Sequence, residues 1–211
     1  MSFHSPSRDH HEVDVTHFAG LILAGGKGRR WGGPKAWAEL PDGRSFLELC
    51  VEILRQAGAA PIVATLPPNT VPPPHEGLVS VSLPEPGLDM FASLKTGLER
   101  LVEYPDWRAV AVLPVDHPLV KAESVTALMG VEATSAIPSF KNKHGHPIRM
   151  DRGVVEGILN GSLTGPTLRE ILHLVGAVDV NVEDAGVIIN CNTPEALTEA
   201  LNPPLRKPFK T

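Results

Sequence analysis

Apolar positions along this chain fall into two alternating rhythms. Dense apolar runs of strand length occur at 17–24, 61–66, 78–83 and 107–115, each bounded by Gly, Pro or Asp. Between them, apolar residues recur at helical spacing. In 46–57 the stripe is Leu49, Cys50, Ile53, Leu54 and Ala57, with Ser45 at the N-cap position and Gly58 as the stop. In 90–103 it is Leu94, Leu98, Leu101 and Val102. Further on, the pattern predicts a helix at 123–129 and strands at 135–140 and 147–150 around the polar loop 141–146. Helices at 153–159 and 166–174, strands at 177–182 and 186–190, and a last helix at 194–201 follow. Strands that alternate with helices imply right-handed crossovers, and so an α/β fold: a Rossmann-like, mainly parallel sheet with helices on both faces.

The remaining segments set the boundaries. Residues 1–16 are polar, carry His4, His10 and His11, and read as a flexible tail; 203–211 read as a second tail. A metal-binding role for these histidines is the other reading. That leaves 17–202 as a single domain, with the five prolines of 67–77 forming a stiff surface loop. The hydrophobic content of 42% and the mean hydropathy of zero describe a soluble globular chain. A net charge of −5 argues against a nucleic-acid binder. No apolar run approaches membrane-span length and the N-terminus lacks a signal-peptide core, so no membrane association and a cytoplasmic location are expected. Cys50 and Cys191 both sit in apolar contexts and read as reduced packing residues.

Candidate chemistry begins where the first strand ends. Leu21-Ile22-Leu23-Ala24 empties into Gly25-Gly26-Lys27-Gly28-Arg29-Arg30-Trp31-Gly32-Gly33-Pro34-Lys35, with no acid before Ala38. Glycines after a buried strand let backbone N–H groups approach an anion, and four cationic side chains add to it. The alternative is a solvated basic turn. Two familiar phosphate loops fail here: Trp31 stands at the last glycine of G-x-G-x-x-G, and Pro34 at the lysine of G-x-x-x-x-G-K-[ST]. Ligands of open α/β sheets bind beyond the carboxyl ends of strands, and two more polar signals lie at such ends. Asp116, at the exit of an apolar run, could hold Mg²⁺ or open an Asx turn before Pro118; spacing alone leaves both open. In Asn190-Cys191-Asn192-Thr193-Pro194, Thr193 and Pro194 suffice to start a helix, and Asn192 lies one residue outside the cap.

The first loop reads L-x-G-G-x-x-x-R-x-G-x-P-K from Leu23 to Lys35. It resembles the signature loop of the MobA-like nucleotidyltransferases, a branch of the sugar-phosphate nucleotidyltransferase superfamily, and the resemblance extends from about Leu21 to Leu201. It implies a fold of the nucleotide-diphospho-sugar transferase type and transfer of a nucleotidyl group from an NTP to a phosphorylated acceptor, with release of pyrophosphate. Nucleotide contacts would come from Leu23, Ala24, Gly25, Gly26, Gly28 and Lys35, with Gly87 and Ser93 of the segment 87–94 near the nucleoside. Arg30, Lys35 and Asp116 would be catalytic. Mg²⁺ would sit on Asp116, in a D-x-P motif, and Asn192, in a late [ND]-x-[ND]-T-P motif. Gly145-His146-Pro147 resembles a G-H-P motif beside the acceptor, implied to be molybdopterin or its molybdenum-bound form.

Several alternatives stay open. Any capped helix looks like 87–94, and a polar hairpin turn also explains 145–147. The loop looks like that of guanylyltransferases, and the G-H-P and 87–94 segments like those of cytidylyltransferases, so GTP and CTP both stand. Gly28 and Trp31 replace the Ser and Met common in relatives, and Gly165-Pro166-Thr167-Leu168-Arg169 replaces G-D-x-G-x-R. A sugar phosphate is the other acceptor. A catalytically silent nucleotide-binding protein is the reading from another class. Oligomeric state is not encoded in any of these signals.

Overall fold

The computed structural model describes residues 17–72 and 75–202; the two tails expected at 1–16 and 203–211 lie outside them. The central strand is β1 (Phe18–Leu23), every residue of which is buried. It pairs in parallel with β2 (Ile62–Leu66) on one side and β4 (Ala109–Pro114) on the other, and β2 carries β3 (Leu78–Ser82), also parallel. Beyond β4 the direction changes. Strand β7 (Ile148–Asp151) runs antiparallel to both β4 and β5 (Ser135–Phe140). The short β6 (Lys143–His144) folds back on β5, and β8 (Val178–Asn181) pairs with β5 in parallel. The order is β3-β2-β1-β4-β7-β5-β6, with β8 on β5. Helices cover both faces, as expected.

On one face α1 (Phe46–Gln56), α3 (Ala122–Met129) and α6 (Pro194–Leu201) bury Phe46, Leu54, Val125 and Leu197 against Ile22, Ala64 and Leu113. On the other, α2 (Met90–Leu101), α4 (Arg152–Asn160) and α5 (Leu168–Leu174) bury Leu94, Leu98, Ile158 and Ile171 against Leu21, Val112 and Met150. Ser45 caps α1 in a reciprocal box: its hydroxyl accepts from the Glu48 N–H at 3.2 Å, and the Glu48 carboxylate accepts from the Ser45 N–H at 2.7 Å. The expected strand ends agree within a few residues.

Two expectations need correction. The segment 186–190 is not a strand: Ala185–Ile188 is a 3-10 turn. Asp184 causes it, since one carboxylate oxygen accepts from the Gly186 N–H at 2.8 Å and the other from Lys121 N–H and Ser124 Oγ, turning the chain into the start of α3. Val187 is then fully buried as packing, with no strand to pair with. The loop 141–146 is partly a hairpin: Phe140 pairs with Lys143 across Lys141 and Asn142, whose φ of 50° and 61° match a two-residue turn of the I′ kind.

Candidate active site

The glycine loop leaves β1 at its carboxyl end, as in other open α/β sheets. It closes on itself: the Trp31 N–H donates to the Gly28 carbonyl at 2.8 Å, and Arg29–Trp31 and Lys35–Trp37 form two 3-10 turns. Gly28 has φ 56°, and a Cβ there would lie 1.8 Å from the Gly33 carbonyl oxygen, so only glycine fits.

The turn at 35–37 aims Lys35 inward. Its ammonium donates to Asp116 Oδ2 at 2.7 Å and also to Asn192 Oδ1. The Lys35 and Asp116 side chains are 19% and 17% exposed. Asp116 follows β4, Asn192 precedes α6, and one cation joins the two across the sheet's carboxyl edge. The Asp116 carboxylate accepts its hydrogen bond from Lys35; among the described residues no backbone N–H donates to it, so it does not build an Asx turn. Helix α6 is capped by Thr193, whose hydroxyl accepts from the Ala196 N–H at 3.2 Å, and starts on Pro194, so Asn192 is free of that duty. The Cys191 N–H donates to the Asp116 carbonyl at 2.8 Å, and the Trp31 indole Nε1 donates to the Cys191 carbonyl at 3.1 Å. The Trp31 ring stands edge-on to Phe46 with centroids 5.2 Å apart. Cys50 and Cys191 are buried free thiols; burial pushes Cys191 up to about 11 and Cys50 higher still, which keeps both protonated.

Two adjoining clefts open here. The smaller, about 230 Å³, is lined by Leu23, Gly25, Gly26, Lys35, Ser93 and Asp116 among others. The larger, about 840 Å³, has apolar walls from Leu94, Ile137, Ile148, Leu168 and Leu172, and polar groups from Gly145, His144, Asn142 and Arg169. Leu23, Met90, Pro114 and His146 line both. Ala24 is buried beneath the loop. Pro147 is buried and follows a cis bond. Gly87 lies against the Lys27 side chain rather than in either cleft. Arg30 is exposed on its turn and lines neither cleft.

His146, which lines both clefts, packs its imidazole edge-on to that of His117 in the smaller one, with ring centroids 4.7 Å apart. Burial and then the neighbouring His117 push His146 down to about 4, against the pull of Asp116, so its ring is neutral at pH 7. Burial also lowers His117, opposed by Asp116 and the Gly186 backbone. Among the described residues neither ring's buried Nδ1 has a hydrogen-bond partner. The 185–188 turn holds His146 in place: its N–H donates to the Val187 carbonyl at 2.8 Å, and Gly145 approaches so closely that a Cβ would lie 2.1 Å from that oxygen. Gly145→Ala is therefore expected to cost about 1–3 kcal/mol, as overpacking does, and to lower the melting temperature by several degrees. A wild-type melting curve would show that the turn yields to the methyl group.

Sequence patterns had not marked Trp31, Thr65, His117 or Asp184 for these roles. Thr65, on β2, lies 3.0 Å from the Ser93 hydroxyl and orients it. Each acts through a partner distant in the chain, and for only one was there a local sign: His117 adjoins Asp116.

Among the described residues no three His, Cys, Asp or Glu side chains form a metal cluster, and no helix is long and apolar enough to cross a membrane. The oxygens of Asp116 and Asn192 nevertheless converge on one cation, the Lys35 ammonium. That donor set suits Mg²⁺, which takes one or two protein oxygens and completes its shell with water and phosphate.

A probable molybdenum cofactor guanylyltransferase of Bacillus cereus is 31% identical over 121 residues, 55% of this chain and 57% of that protein. The chain thus spans little more than half the length of that relative. A protein of the same description from a Geobacillus species is 54% identical over 41 residues, 19% of this chain and 20% of that one. Among solved structures, Rv0371c of Mycobacterium tuberculosis superposes with a TM-score of 0.72 at 20% identity, covering 89% of this chain and 98% of that one. The 2-C-methyl-D-erythritol 4-phosphate cytidylyltransferase of Thermus thermophilus superposes with a TM-score of 0.63 at 22% identity, covering 88% and 98%. These two likenesses establish the fold. The model of the MobA-like NTP transferase domain matches residues 20–180, most of the described chain. A match over that much of the chain shows the family: this chain belongs to the MobA-like NTP transferase domain family.

Proposed function

We propose that this protein is an NTP-dependent nucleotidyltransferase that moves an NMP group onto the phosphate of molybdopterin or its molybdenum-bound form. An acceptor phosphate oxygen attacks the α-phosphorus of the NTP, and pyrophosphate leaves. The observation that carries the reading is the convergence of Lys35, Asp116 and Asn192 at the mouth of the glycine loop. Transfer of this kind needs positioning and charge neutralisation rather than a side-chain nucleophile. Lys35 and the loop N–H groups neutralise the triphosphate and the departing pyrophosphate. Arg30, exposed on its turn, adds positive charge at the loop's outer side. A bound Mg²⁺, held by Asp116 and Asn192, supplies a counter-charge for the phosphates. The neutral His146 ring, which lines both clefts, adds no positive charge to repel a metal ion there.

The larger cleft supports the acceptor. Its volume of about 840 Å³ and walls of Leu, Ile and Met side chains suit a ring system with a phosphate arm better than a small polyol. Arg169 on its rim offers that arm a cation. The guanylyltransferase descriptions of the two curated relatives favour GTP as donor, and one structure of similar fold is a manganese complex, which favours a divalent ion. A sugar phosphate is the second reading, since the Thermus thermophilus enzyme of like fold is named for one.

The test is a screen of the four NTPs against molybdopterin and sugar-phosphate acceptors, following pyrophosphate with and without Mg²⁺. The expected result is release that requires GTP, molybdopterin and Mg²⁺ together. Release with a sugar phosphate alone would transfer the reading to the second acceptor. No release with any pair would leave a nucleotide-binding protein without transfer chemistry.

A further inference from the structure

We propose that Trp31 is a positioning residue for the metal site: its indole N–H latches the Cys191 carbonyl and thereby fixes Asn192 beside Asp116. This rests on the metal reading given under Proposed function and goes beyond it.

The argument is geometric. The carbonyl of Cys191 and the N–H of Asn192 share one planar peptide unit, so whatever fixes that carbonyl fixes the plane from which Asn192 departs. Trp31 Nε1 donates to this carbonyl at 3.1 Å from 160 residues away. The preceding peptide plane is held independently, since the Cys191 N–H donates to the Asp116 carbonyl at 2.8 Å. Cys191 is thus pinned on both sides, once by each half of the site, and the Asn192 N–H turns back to the Asn190 carbonyl at 2.9 Å. The latch is itself rigid, because the Trp31 ring leans on Phe46, a fully buried residue of α1.

The same loop carries both the latch and the ammonium. Trp31 ends one 3-10 turn and Lys35 begins the next. Their tips land on consecutive residues, Trp31 on the Cys191 backbone and Lys35 on the Asn192 side chain. Phosphate-loop conformation and placement of the metal-ligand oxygen are therefore coupled through one hydrogen bond. An apolar side chain at 31 could fill the same space against Phe46 but has no N–H to give. The plain alternative is that Trp31 only packs, its N–H having found a convenient acceptor as buried indoles do.

The experiment measures binding of Mn²⁺ alone to the full chain by electron paramagnetic resonance, without nucleotide or turnover, alongside thermal melting. Three forms are compared with wild type: Trp31→Phe, Trp31 replaced by β-(3-benzothienyl)alanine, and Asn192→Leu. The benzothienyl ring keeps the indole's shape and removes only the N–H, so it answers even if the Phe form folds poorly. Removing one neutral hydrogen bond from the site is expected to weaken Mn²⁺ about five- to tenfold in both position-31 forms. The melting temperature of the benzothienyl form should fall by no more than a few degrees, the cost of one hydrogen bond, so that the protein stays folded throughout the titration. Benzothienyl protein that binds Mn²⁺ as wild type does would overturn the latch. Asn192→Leu separates the two levels: if it binds Mn²⁺ normally, the metal reading fails and the latch with it. If it loses Mn²⁺ while the benzothienyl form does not, the latch alone fails.

Discussion

Lys35→Ala is expected to lower kcat/KM for nucleotidyl transfer about a hundredfold or more, the loss typical of one preorganised charge contact. The same variant should bind Mn²⁺ more tightly in the absence of nucleotide. The opposite signs follow from one observation: the ammonium sits on Asp116 Oδ2 at 2.7 Å and on Asn192 Oδ1, the two oxygens assigned to the metal. In the free protein Lys35 occupies the place of a cation and competes for it. When a triphosphate binds, the lysine stem lets the ammonium move to the phosphates, and the two oxygens become available. Like charges about 4 Å apart repel by about 4 kcal/mol at an effective dielectric of about 20. Most of that is avoided when the flexible side chain steps aside, so the tightening should be only about tenfold. The variant also leaves the Asp116 carboxylate, 17% exposed, without its cation, which costs some stability, so a melting curve accompanies the kinetics. Steady-state kinetics at saturating Mg²⁺ and Mn²⁺ titration of the apo protein read the two effects. Wild-type kcat/KM would remove Lys35 from the chemistry, and weakened Mn²⁺ binding would refute the competition.

What was legible in the sequence was whatever has a local cause. The strand that empties into glycines, the N-cap at Ser45 and the acid beyond β4 each depend on neighbours within a few residues, and each lies where the pattern put it. The apolar run at 187–189 misled because periodicity reports burial, and burial does not say whether a segment pairs or packs. Asp184 decided that, through bonds to Lys121 and Ser124 some 60 residues away. The antiparallel β7 was likewise hidden: its apolar content fits either direction, and only its insertion between β4 and β5 fixes it. In the site, residue types were legible and their meetings were not. Lys35 reaches Asn192 across 157 positions, and the Thr65–Ser93 contact spans 28. The loop motif also treats its basic residues as equals, yet Lys35 turns inward and Arg30 faces solvent, because the two lie on successive 3-10 turns separated by Gly32, Gly33 and Pro34.

Asp116→Asn is expected to remove metal binding and, with it, transfer activity by a hundredfold or more. The substitution keeps the side chain's size and one oxygen and deletes only the charge, so it tests the charge itself. Among the described residues lining the smaller cleft, Asp116 is the one acid; its neighbours there include Asn190, His117 and Ser93, all uncharged or nearly so. Asn192 contributes an oxygen and no charge. A divalent ion bound to two amides and water has little to hold it against bulk hydration, since Mg²⁺ gives up its water reluctantly. The variant also leaves the Lys35 ammonium without its anionic partner in a half-buried place, 19% exposed, which costs some stability. A melting curve is therefore needed beside the metal titration. The decisive addition is Asn192→Asp in the same chain. If Asp116 acts by its charge, moving the carboxylate to the other ligand position should recover Mn²⁺ binding and re-pair Lys35, which already touches Asn192 Oδ1. Recovery of activity should be smaller than recovery of binding, because the carboxylate would stand at the start of α6 rather than at the end of β4. Asp116→Asn with wild-type Mn²⁺ affinity would sink the assignment of this carboxylate to the metal. A double variant as empty as the single one would show that the position of the charge matters as much as its presence.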